Sequence, residues 1–275
     1  MSLGGRATLV TRWSYYLSSI PTLLSRVRSR ARLLALFLGV PLRRPVTIEL
    51  DTGCRFRVET RMDVWTVKET CLDRVYELRG GIEEGSTVLD IGAGLGDFAA
   101  SVARNDPRAT VFAFEPLPKS FRRLVENVEL NGLANVKTFQ EAVAGREGVV
   151  YLSTPTGLSG QHRPSERPRD GESIPTTATT LAQALGRTPR GRCDFLKVDC
   201  EGGEYDILMT ADADTLSRIG RIAMEYHDEM TSHRHEELVD LLGRSNFEVW
   251  TTPSPAHREL GYLYAVNRRP EAAAG

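Results

Sequence analysis

The chain is expected to fold as an α/β domain, a Rossmann-like sheet with helices on both faces. Three observations predict it. The stretch from Val88 to Glu115, VLDIGAGLGDFAASVARNDPRATVFAFE, reads as strand, glycine turn, helix, strand. Further short apolar runs, among them Phe195–Val198 and Arg221–Tyr226, alternate with helical segments, as in a parallel sheet. With 275 residues and 41% hydrophobic content, the chain can bury one such domain and carry an appendage.

The glycine turn suggests a ligand. Gly92, Ala93, Gly94 and Gly96 follow the strand Val88–Ile91, and glycine there lets backbone approach a bound molecule closely. Glu115 ends the next strand 23 residues after Gly92, close to the offset at which a Rossmann acid meets a ribose diol. A dinucleotide fingerprint has Gly-x-Gly-x-x-Gly, but here Asp97 stands where the third glycine belongs, and Asp90 precedes the turn. Two carboxylates beside the pocket repel a pyrophosphate and suit a cation. S-adenosylmethionine, with a sulfonium, an ammonium, a ribose and no phosphate, fits. An NAD(P)-dependent oxidoreductase is the disfavoured alternative. The two acids acting only as helix caps is the plainer one.

Charge is unevenly distributed. The net charge is −1, which carries no nucleic-acid signature, yet residues 1–45 hold eight arginines and no acid. Trp13, Tyr16, Leu17, Ile20, Leu23, Leu24 and Val27 recur at helical steps, with Pro21 expected to break or kink them. The segment reads as a basic helical arm separate from the core. Residues 1–40 are a candidate for peripheral contact with an anionic membrane, or for packing on the domain or a partner. The run Leu33–Leu42 is too short to span a bilayer. The four cysteines lack Cys-x-x-Cys spacing, which argues against a zinc or redox site, and Cys193 and Cys200 read as buried thiols. A cytoplasmic setting without export follows, membrane-associated at most on the inner face.

Residues 46–80 read as a lead-in hairpin and helix. Val46–Leu50 and Cys54–Val58 flank the turn at Asp51–Gly53. Asp63–Leu78 has apolar residues at helical spacing, with Asp63 as cap and Glu69 and Tyr76 as candidate site-facing groups, more simply solvated. Pro118–Asn131 is a helix stopped by Gly132, and Val136–Val143 a third strand. Glu141 and Ala142 end that strand, where open α/β sheets bind ligands, and are candidate adenine-side contacts beside Pro116. Residues 153–176, containing His162, read as a long loop, and Thr180–Leu185 as a short helix. The strand Phe195–Val198, interrupted by Lys197, ends in Asp199 and Glu201, and Arg221–Tyr226 ends in Glu225, His227 and Asp228. Glu236–Leu242 is a helix, and Phe247–Thr251 and Gly261–Val266 are the last strands.

The motifs VLDIGAGLGDFA, FAFEP, LKVDCEGGEYDIL and MEYH, in this order, resemble the FkbM-type S-adenosylmethionine-dependent methyltransferases across residues 46–268. Lys197, Asp199, Glu201, Gly202 and Glu204 occupy the places of a signature resembling K-[IV]-D-x-E-G-x-E. The resemblance implies a methyltransferase domain over residues 81–275, with a seven-stranded sheet of order 3-2-1-4-5-7-6 and an antiparallel last strand. It also implies O-methylation of hydroxyls on sugars, glycolipids or polyketide-type natural products. Cys200 departs from the small apolar residue common there, and Thr180-Leu181-Ala182-Gln183 lacks the acid often seen after the Thr-Leu pair.

Methyl transfer to an alcohol needs in-line alignment and a base. The strand-end cluster supplies candidates: Asp199 first, then His227, with Glu201 beside them. Asp199 also counts among the cofactor contacts, with Asp90, the glycine turn and Glu115. These acids alternatively form an ion-pair network with Lys197, or hold Mg²⁺ through few protein ligands; no metal is assigned. A non-catalytic, methyltransferase-like binding module is the remaining alternative.

Overall fold

The computed structural model describes residues 19–37, 45–153, 163–165, 173–254 and 260–268 of the chain. Trp13, Tyr16, Leu17 and His162 lie outside them. Residues 19–26 are helical through Pro21, and helix α1 spans Arg30–Phe37. Strands β1 (Val46–Glu49) and β2 (Arg55–Val58) form the expected antiparallel hairpin. The described part of the arm is not separate from the body. Leu23, Val27, Leu33 and Leu36 are buried in one cluster with Ile48, Phe56, Val64 and Ala100. Each such side chain is worth about 1.5–3 kcal/mol on burial, enough to hold the segment in place.

Helix α2 covers only Arg61–Val67. Its N-cap is Thr60 rather than Asp63, and Asp63 closes the reciprocal capping box from the third position. The chain then widens into a π-turn over Lys68–Leu72, passes Arg74 at φ 53°, and tightens into a 3₁₀ turn at Val75–Glu77. That sequence of turns replaces the single helix expected to Leu78, and it rotates Tyr76 inward, 5% exposed.

The central fold follows: β3 (Thr87–Ile91), α3 (Asp97–Asn105), β4 (Thr110–Phe114), α4 (Pro118–Leu130) and β5 (Val136–Phe139). The third strand ends at Phe139. Ala142–Val143 is a separate strand, β6, in a smaller sheet with β7 (Gly148–Ser153), β8 (Arg163–Ser165) and β9 (Ser173–Thr179). Part of the expected long loop is therefore sheet. After α5 (Leu181–Gly186) come β10 (Cys193–Val198), α6 (Glu204–Met209), α7 (Ala213–Ser217), β11 (Ile219–His227), α8 (His235–Arg244), β12 (Phe247–Pro253) and β13 (Leu260–Asn267).

The main sheet runs β12-β13-β11-β10-β3-β4-β5. Read from β5, this is the order 3-2-1-4-5-7-6. The pairs β3–β4, β4–β5, β10–β3 and β10–β11 are parallel, and β13 is antiparallel to both neighbours. Successive residues of β3 serve opposite cores: Val88 packs with Phe98, Val111 and Phe195, and Leu89 with Phe112, Leu196 and Leu208. Burial on both faces is why these strands read as unbroken apolar runs. The hairpin is fastened by α4. Asn127 accepts from the Arg57 amide at 2.7 Å and donates to Leu95 O at 2.8 Å, while Asn131 exchanges bonds of 2.8 and 2.7 Å with Arg55. Two buried side-chain amides thus stand in for a neighbouring strand.

Candidate active site

A cavity of about 340 Å³ opens at the C-terminal ends of β3, β4 and β10. Gly92, Gly94, Glu115 and Pro116 form its glycine end, and Asp199, Cys200 and Glu201, which adjoin it at Gly92, its acid end. Met62, Leu117, Ala142 and Leu152 supply apolar wall. Asp63, Glu115, Asp199, Glu201 and Asp206 all border the space, and no lysine or arginine does among the described residues.

At the glycine end, Gly92 sits at φ 73°, and a Cβ there would collide with the Asp199 backbone oxygen. The amides of Gly92 and Ala93 donate to Phe114 O at 3.0 and 2.9 Å, which pins the turn to β4. Glu115 is nearly buried and accepts from the amides of Gly94 and Leu117, each at 2.9 Å. Burial pushes its carboxyl up to about 7, against the pull of those two N–H groups.

Several expected contacts take other positions. Asp90 is fully buried and off the cavity wall, its Oδ1 3.1 Å from Lys197 Nζ. Asp97 is buried as well and bonds Thr70, its carboxyl raised to about 6 by burial. Neither carboxylate lines the cavity. Ala93 packs in the core, and Gly96, at φ 84°, begins α3 against Leu124. Glu141 is also off the wall: Arg187 grips its carboxylate in a bidentate pair at 3.1 and 2.6 Å and stacks over Phe139. Ala142, its neighbour, does line the cavity.

At the acid end, Asp199 Oδ2 accepts from the Tyr76 hydroxyl at 2.9 Å and lies 3.9 Å from Lys197 Nζ. Lys197, 4% exposed, also donates to Gly92 O at 2.7 Å, so one ammonium joins both ends of the site. Burial alone would lower its pKa, but Asp90, Asp199 and Asp97 outweigh burial and raise it. Glu201 has φ 52°, a left-handed conformation rare for this residue, and its buried Oε2 makes no hydrogen bond. Burial raises its carboxyl to about 7. Glu225, between Asp199 and His227, is raised to about 8 by burial and then by Asp199.

His227 is 3% exposed and off the cavity wall. Its Nδ1 meets Glu204 Oε1 at 3.0 Å, and its Nε2 lies 3.5 Å from Glu201 Oε2. Burial would lower its pKa, but Glu204, Glu225 and Asp199 raise it well above 6.5. The ring lies behind Glu201 rather than on the cavity wall. Cys200 is only partly buried, whereas Cys54, Cys71 and Cys193 are buried and all four are free thiols.

Sequence reasoning missed Glu204 as the partner of His227. Fully buried, it also accepts from the amides of Cys200 and Gly202 at 2.7 and 2.8 Å. The glycine pair just before it was the available signal, since such a turn exposes amides that need an acceptor.

Residues 90–264 match the family described as the methyltransferase FkbM domain. The chain belongs to the FkbM methyltransferase family. Curated relatives similar to it include the following three. AMB antimetabolite synthetase AmbE of Pseudomonas aeruginosa is 29% identical over 225 residues, covering 67% of this chain and 10% of AmbE. The 31-O-demethyl-FK506 methyltransferase FkbM of Streptomyces tacrolimicus is 27% identical, covering 68% of this chain and 83% of that protein. Hexuronic acid methyltransferase AglP of Haloferax volcanii is 25% identical, covering 68% of this chain and 76% of that protein. This chain therefore spans a tenth of the first of these relatives and most of the other two. A solved structure of methyltransferase FkbM from Methylobacillus flagellatus aligns at 16% identity and TM-score 0.47, covering 71% of this chain and 47% of that one. As a family member, the chain carries its matched segment from β3, at Asp90, to β13, at Tyr264.

Proposed function

We propose that this protein transfers the methyl group of S-adenosylmethionine to a hydroxyl of a sugar, a glycolipid or a polyketide-type product. The observation that carries the assignment is the cavity wall: five carboxylates and no lysine or arginine among the described residues. Such a wall attracts a sulfonium and an ammonium and repels a pyrophosphate, which disfavours a nicotinamide dinucleotide. Family membership supports methyl transfer. The relative named 31-O-demethyl-FK506 methyltransferase supports oxygen as the acceptor atom, and the one named hexuronic acid methyltransferase supports a sugar acceptor.

The residues present fit the donor. Glu115 retains lone pairs for ribose hydroxyls, and the turn Gly92–Gly94 brings backbone to the wall without side chains. When bound, S-adenosylmethionine supplies a methyl on a positively charged sulfur that departs as a neutral thioether. The chain's own work is alignment and deprotonation. Asp199, held by Tyr76 and Lys197, is placed to orient the acceptor hydroxyl. Glu201, which lines the cavity and whose carboxyl burial raises to about 7, takes the hydroxyl proton as the new oxygen–carbon bond forms.

Calorimetry with S-adenosylmethionine and with NAD, followed by transfer of radiolabelled methyl to a panel of uronic acids and macrolide alcohols, tests the assignment. Binding of the sulfonium alone and label on oxygen are expected. Binding of NAD in its place, or label only on nitrogen or carbon, would overturn it.

A further inference from the structure

We propose that Asp199, Glu225 and His227 form a binding site for one divalent cation, of which Mn²⁺ is the type. Its catalytic role rests on the methyl-transfer function above, but its ligands do not. The donor atoms of these three residues lie within 4.8 Å of one another. In a six-coordinate site with bonds of about 2.1 Å, adjacent donors are about 3 Å apart and opposite ones about 4.2 Å. Small side-chain rotations therefore close the cluster on an ion. The three residues come from the ends of adjacent parallel strands, β10 and β11, a rigid base.

Two of the three donors are already oriented by a second residue. Glu204, with no exposure, holds His227 Nδ1 at 3.0 Å, leaving Nε2 as the donor; carboxylate behind imidazole is the arrangement that positions metal-binding histidines. Tyr76 holds one oxygen of Asp199 at 2.9 Å. Nε2 of this almost fully buried ring lies 3.5 Å from Glu201 Oε2, a buried oxygen with no hydrogen-bond partner among the described residues. The charge balance points the same way. Asp199, Glu201, Glu204 and Glu225 surround one imidazole, and Lys197 sits closer to Asp90 than to Asp199. One imidazole with two carboxylates suits Mn²⁺ better than Mg²⁺ or Ca²⁺, which prefer oxygen alone. The remaining coordination positions can hold an acceptor oxygen and lower its pKa.

A second group, Asp228, His235 and Glu236, lacks this build. His235 Nδ1 is taken by Asp228 at 2.8 Å, its ring stacks on Tyr226 at 4.1 Å, and Glu236 is exposed. It serves as the control.

The test is titration of Mn²⁺ into the EDTA-treated full chain, followed by electron paramagnetic resonance of the free ion, with no donor or acceptor present. One bound Mn²⁺ per chain is expected. Glu225→Gln should weaken it at least about tenfold, and Glu236→Gln should leave it unchanged. Thermal melts monitored by circular dichroism confirm that both variants fold. No saturable Mn²⁺ binding, or binding unaltered by Glu225→Gln, overturns the site. Calorimetry with S-adenosylmethionine on the same samples separates the two claims. Donor binding without Mn²⁺ binding removes only the metal site, and Mn²⁺ binding without donor binding removes only the methyl-transfer function.

Discussion

The two ends of the cavity are built differently. At the glycine end the backbone does the shaping: the Gly92 and Ala93 amides grip Phe114 O, and a single carboxylate, Glu115, is held by two amides. At the acid end side chains do it. Tyr76, Lys197, Asp199, Glu201, Glu204, Glu225 and His227 restrain one another across three segments of the chain. A backbone site tolerates change in its neighbours, whereas a side-chain network transmits it.

Lys197 is where that contrast can be broken most severely, because it serves both ends. Lys197→Met leaves Asp90 buried without its counter-charge, and urea denaturation should register a loss of about 3–5 kcal/mol. Retention of full stability would mean that the two ends are independent. Glu201→Gln separates them more cleanly. Turnover should fall about 100-fold or more with donor affinity unchanged in calorimetry, and an unaltered rate would remove Glu201 as the base. Glu115→Gln should do the reverse, weakening the donor about tenfold while the rate at saturating donor is nearly kept.

The smallest effect is one of pH. Because the Glu115 carboxyl is raised to about 7, it carries a proton in acid and a charge in base. Donor affinity should therefore decline as pH falls from 8 to 6, by less than the Glu115→Gln loss, and Glu115→Gln should flatten that profile. A profile that persists in the variant assigns the titration to another group.

The same contrast decides what was legible in the chain. The glycine end is local: strand, turn and acid follow one another from Val88 to Glu115, so spacing alone located it. The acid end is not local. Tyr76 reads as solvated on a regular helix to Leu78, but the π-turn with the left-handed Arg74 reverses its direction. Lys197 reads as an interruption in an apolar strand, but its main partner, Asp90, is its cross-strand neighbour on β3, far away in sequence. The negative wall was anticipated from Asp90 and Asp97 and is in fact made by other carboxylates, Asp63 and Asp206 among them, contributed by elements that only packing brings near. The small sheet escaped notice because its strand Ser173–Thr179, rich in Thr, adjoins a Pro- and Arg-rich stretch without apolar alternation.

The asparagine pair on α4 has a mechanical consequence. Asn127 grips the hairpin with one end of its amide and the carbonyl of Leu95, inside the glycine loop, with the other. Whatever stiffens that loop on filling the cavity must also stiffen β2. The Arg55 and Arg57 amides are thereby a built-in strain gauge: their deuterium uptake should slow when the donor binds, at a place the donor never touches.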